Sequence, residues 1–97
     1  MAQYEVFQLG TDRVVDVQTD LMSGLQTRVV VPLSPVDSYI VSRARLTPTL
    51  RFEGESWIMV TPLLSVVPEG VLSTPVGSVA DHSDDITAAL DMVFHGF

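Results

Sequence analysis

Few side chains in this 97-residue chain could carry chemistry, and they are widely spread. Its two histidines, His82 and His95, are thirteen positions apart. On a continuous helix that spacing separates them by about 20 Å, too far to share a metal ion. The absence of cysteine removes thiolate metal sites, disulfides and thiol nucleophiles together. Every cation is an arginine, at positions 13, 28, 43, 45 and 51, so no amine is present for Schiff-base work. Serine is common, but the strand–GxSxG–helix setting of a nucleophile elbow does not occur. "LSPVDS" and "GTDR" lack the glycine spacing of a phosphate cradle and read as turns. Asp84 and Asp85 could act as paired carboxylates, yet they open an apolar-periodic segment, where acids suit the positive end of a helix. No catalytic residue, metal site or cofactor is expected.

Charge narrows the partners. Twelve acidic residues against five arginines leave a formal charge of −7. Phosphate backbones are held by clustered cations, and only Arg43 and Arg45 lie close in sequence. Direct nucleic-acid binding is therefore not expected, whereas a partner with basic patches fits. No apolar run approaches the ~20 residues of a membrane span. The opening "MAQYEVFQLG" lacks a basic end followed by an apolar stretch, so a cytoplasmic location is the simplest expectation.

The elements that would position these groups are mostly strands of a single domain, residues 1–97. "YEVFQL", a "GTD" turn and "RVVDVQ" form a hairpin pattern, with Val15 and Val17 on one face and Asp16 and Gln18 on the other. "TRVVVPL" is a β-branched run covered on both faces, its Pro32 marking a strand end or an edge. "SPVDSYIVSRARLTP" reads as a loop with a short extended piece. "TLRFEGESWIMVT" is the strongest hairpin signal: Leu50 and Phe52 alternate with Thr49 and Arg51, and Trp57, Met59 and Thr61 share a face. Trp57 there is read as a core residue. "PLLSVVPEGVLSTPVGSVA" reads as connecting structure with at most one short strand.

"DHSDDITAALDMVFHGF" is the one confident helix. Asp81 or Ser83 would be its N-cap, and Ile86, Ala89, Leu90 and Val93 its buried face. Asp91 and His95 fall on the far side, one turn apart, with Phe94 on the flank. The Asp91–His95 pair is either a solvated contact worth about 0.5 kcal/mol or less, or part of a binding surface. Phe97 either packs inward or faces a partner.

Four stretches in order, "VDVQTD", "RVVVPL", "GESWIMVT" and "SVADHS…DITAALDMVFHGF", resemble the CcdB toxins of toxin–antitoxin systems, including those that serve plasmid maintenance. The resemblance runs from Tyr4 to Phe97. It implies a β-rich α+β fold of the SH3-like CcdB/Kid barrel type: an antiparallel sheet, a smaller second sheet, one C-terminal helix, and a homodimer. It also implies a non-enzymatic inhibitor that binds the DNA gyrase A subunit, traps the cleaved complex and is neutralised by a CcdA-like antitoxin. Carried over by position, the gyrase-contacting residues are Leu21, Met22, Asp91, Phe94, His95, Gly96 and Phe97. Against a charge of −7, a charged antitoxin tail would either dock along Arg43 and Arg45 or carry more cations than usual. Two positions depart from the family pattern: His95 stands where tryptophan is usual, and Asp91 replaces a neutral amide. The alternatives are a MazF/Kid-like endoribonuclease, or an inactive relative that only binds antitoxin.

Overall fold

The computed structural model describes residues 2–22, 24–36 and 45–96. Alternating valines and short turns give two hairpins. In the first, β1 (Glu5–Leu9) pairs with β2 (Asp12–Asp16), aligning Val6 with Val15 and Leu9 with Asp12. In the second, β4 (Thr49–Phe52) pairs with β5 (Glu55–Met59) across Glu53 and Gly54. Both turn residues have positive φ, 54° and 76°, as a two-residue type I′ turn needs to match the twist of its strands.

The central strand is β3 (Thr27–Pro35), which lies antiparallel to β2. Its other edge changes neighbour part-way along. Thr27 to Val30 pair with β6 (Ser65–Pro68), and Leu33 to Pro35 pair with β5. This corrects the expectation for Pro32, which is neither a strand end nor on a free edge. Its carbonyl accepts the Val60 N–H at 2.9 Å, so its ring nitrogen faces the gap where β6 gives way to β5. A missing donor is tolerated at such a break in the ladder. The smaller sheet foreseen for this fold is thus joined to the main one through β3.

The segment from Pro62 to Ala80 holds two short strands, where at most one was expected. They are β6 and β7 (Gly77–Ser78), the latter paired with β1. Proline and glycine hide both from periodicity. The stretch from Ser34 to Pro48 opens as the end of β3, and residues 37–44 lie outside the described part.

The sheet order β4-β5-β3-β2-β1-β7 ends on two edges that meet. Gly77 of β7 lies against the Phe52 ring of β4, where a Cβ would run into the ring. The antiparallel sheet is thereby a nearly closed barrel with one C-terminal helix.

Both faces of β3 are covered, as its valine run implied. Val31 and Leu33 join Val6, Val15, Leu50, Met59 and Val79 in the main core, while Val30 packs with Phe7, Val14 and Leu72 on the other side. The helix α1 (Ser83–His95) adds Ile86 and Ala89 to the main core. Among the described residues no helix is long and apolar enough to cross a membrane.

Candidate partner-binding surface

α1 is anchored at its start and exposed at its end. It follows a 3₁₀ turn, Ala80–His82, and its N-cap residue is His82, not Asp81 or Ser83 as the sequence suggested. Ser83 already has helical backbone angles, and the His82 side chain makes no capping hydrogen bond to the first turn. His82 instead ties the helix entry to the second hairpin. Its Nε2 accepts the Arg51 backbone N–H at 3.1 Å, while Nδ1 faces Asp85 Oδ2 at 3.6 Å. An accepting Nε2 places the ring proton on Nδ1, towards the carboxylate. Asp84 and Asp85 occupy the first turn, as a helix N-terminus favours.

Further along, Ile86 and Ala89 are fully buried and Leu90 packs against the core, as the 3.6-residue period required. Asp91, Phe94 and His95 are exposed, and Phe94 keeps 64% of its surface open. Gly96 then takes φ 80° and donates its N–H to the Met92 carbonyl at 3.0 Å. This left-handed cap ends the helix at a residue without a Cβ penalty. Phe97 lies outside the described residues, as does Arg43. Arg45 is exposed.

The other half of the expected surface is on a 3₁₀ turn, Asp20–Met22, where Leu21 is 94% exposed. Among the described residues the turn makes no substantial packing contact with α1. Sequence reasoning missed Leu63, which is 61% exposed on the Thr61–Leu63 turn packed against α1. It extends the apolar character near the helix. No periodicity flagged it, because it lies in a Pro-containing connection.

Also missed was the structure that holds the Leu21 turn. Asp16 and Gln18, expected on a polar face, are buried. Arg28 lies beside them, buried as well, with its Nε donating to Asp16 Oδ2 at 2.7 Å. One Arg28 terminal nitrogen donates to the Gln18 carbonyl at 3.3 Å and comes within 4.0 Å of Asp20 Oδ1. Asp16 Oδ1 accepts the Gln18 N–H, the Gln18 side-chain oxygen accepts the Val29 N–H, and Asp20 Oδ1 accepts the Gln3 N–H. The turn carrying Leu21 therefore starts from a segment pinned to β2 and β3.

Catalytic geometry is sparse. Among the described residues no three His, Asp or Glu side chains gather as a metal site would require. Arg13 and Arg28 are both engaged by carboxylates, and Arg51 reaches the Gly54 carbonyl.

The chain matches the model of the CcdB protein family over residues 3–96 and belongs to that family. Among solved structures it resembles an endoribonuclease in complex with its cognate antitoxin from Mycobacterial species. The match has a TM-score of 0.76 at 14% identity and covers 97% of this chain and 94% of that one. At that identity the likeness is one of fold.

Proposed function

We propose that this protein is the toxin of a toxin–antitoxin module. In this reading it is a non-enzymatic homodimer that binds the DNA gyrase A subunit, traps its cleaved-DNA state and is released by a CcdA-like antitoxin. The observation that supports this best is Phe94, a large aromatic left in solvent on a helix whose opposite face is locked into the core. A side chain presented on a stiff mount loses little further freedom on binding, which favours affinity per contact. Exposed apolar residues on separate supports, Leu63 and Phe94 at the helix and Leu21 on its own turn, fit a protein surface better than a small-molecule site.

The charge of the region sets what gyrase surface it suits. Asp91 adds a carboxylate that can take an arginine in a charge-assisted contact. His95 presents an imidazole where the family usually has an indole, so stacking on a guanidinium is weaker and reverses if the ring is protonated. The test is linearisation of supercoiled plasmid by purified gyrase with added protein. Linear DNA that accumulates with the full chain and disappears on Phe94→Ser supports poisoning. Unchanged gyrase products at saturating protein would refute it. His95→Trp should increase the yield of linear DNA.

The solved neighbour supports a second reading, an endoribonuclease of the MazF/Kid type. Cleavage of mixed RNA by purified protein, lost on substitution of one arginine, would favour it over gyrase poisoning. The acidic balance of −7 and the carboxylate partners of Arg13 and Arg28 weigh against a basic RNA groove.

A further inference from the structure

The tips of the two hairpins enclose a cleft of about 450 Å³ that the partner surface does not use. Asp12 and Arg13 come from the first hairpin, Glu53 and Glu55 from the second, and Trp57 forms a wall between them. Three carboxylates face one cation. That cation is already occupied: the Arg13 guanidinium carbon lies 5.3 Å from the Trp57 ring centroid and 5.5 Å from that of Phe52, and one terminal nitrogen is 3.2 Å from Glu53 Oε1. The Trp57 ring packs against the core, and its buried indole N–H has no acceptor among the described residues. An aromatic face flanked by carboxylates is the environment that recognises a cation, and guanidinium suits it best because it is planar and weakly hydrated.

We infer that this cleft binds an arginine side chain of a basic peptide segment, and that Arg13 fills the same place until it is displaced. The occupant is a peptide, not a lone small cation, because the cleft continues into a shallower groove that shares Pro35 and Glu55 and adds Val36 and Ser56. That groove gives an extended chain somewhere to lie beside the anchored side chain. The net charge of −7 steers such a segment inward. The binding surface on α1 is on different elements, so the inference stands whether or not gyrase is the target.

Self-occupation gives the proposal its sharpest consequence. An arginine that merely stabilises the fold would, when removed, leave peptide binding unchanged or weaker. An internal competitor would, when removed, make it stronger. Trp57 is the sole tryptophan of the chain, so its emission reports on this cleft alone.

The experiment titrates the full chain with acetylated tetra-arginine amide, its tetra-citrulline counterpart and tetra-aspartate amide. Circular dichroism checks that each variant is folded. Tetra-arginine should shift the Trp57 emission saturably and tetra-citrulline should not. The Glu53→Gln, Glu55→Gln pair should weaken tetra-arginine about threefold or more, as expected for two exposed charges. Arg13→Gln should tighten it about threefold by freeing the ring. Should Arg13→Gln disturb folding, Arg13→Lys serves instead, because it keeps the charge but gives up the stacking and should tighten binding by a smaller amount. An equal response to citrulline, no response to tetra-arginine, or unchanged or weaker binding after a folded Arg13 change overturns the proposal. A response to tetra-aspartate alone would make Arg13 the receptor of an acidic segment and overturn it equally.

Discussion

Arg28 Nε donates to Asp16 Oδ2 at 2.7 Å, and both side chains are 0% exposed. A buried ion pair of this kind adds little net stability, because desolvating two charges offsets their attraction. Breaking it is another matter, since one charge is then left buried and alone. Asp16→Ala should destabilise the fold by about 3–5 kcal/mol. The combined change Asp16→Leu with Arg28→Met should be far milder than the sum of its parts. Urea unfolding of the singles and the double measures this coupling directly. An additive double would show that the pair is not a unit.

Phe94 and Ile86 are on one helix with opposite duties. Phe94→Ser should leave stability within about 0.5 kcal/mol, because the ring is already in water, while under the proposed function gyrase binding falls. Ile86→Ala should cost about 2–4 kcal/mol through a cavity in the main core. Thermal melts set beside the plasmid-linearisation assay separate the two effects.

Gly77 closes the barrel against Phe52, so Gly77→Ala should destabilise by about 1–3 kcal/mol through overpacking. Adding Phe52→Leu should recover part of that loss by making room for the methyl group. Paired melts of the single and double variants test whether the seam is the cause. No recovery would place the strain elsewhere.

His82 accepts the Arg51 N–H, an unusual duty for the residue that opens a helix. His82→Ala should cost about 1 kcal/mol by removing that acceptor. His82→Asn, which offers a carbonyl oxygen at similar reach, should lose less. Urea midpoints of both variants decide it.

These residues also show where sequence reading succeeds and fails. Both hairpins, the valine run of β3 and the buried stripe of α1 follow from periods of 2 and 3.6, and all were legible. Leu21 and Phe94 came from the family resemblance, and their exposure is what the fold adds. Alternation placed Asp16 on the face opposite Val15, but it gives only a face, not what covers it. Its partner Arg28 belongs to another strand, and no local pattern links the two. Strands β6 and β7 are too short and too rich in proline and glycine to show a period, and their partners alone define them. Pro32 misled for a related reason, since whether a missing donor matters depends on the neighbour strand.

β1 takes its outer neighbour from β7, so Glu5 pairs with Ser78, far along the sequence. During synthesis β1 keeps a raw, hydrogen-bond-hungry margin until residue 78 has emerged. Any nascent or truncated copy that stops short of Gly77 is left with an open flank for an identical copy to seize. Production of this protein is thus most vulnerable to clumping before Gly77 and Ser78 are in place, and slow translation ahead of them lengthens that exposure.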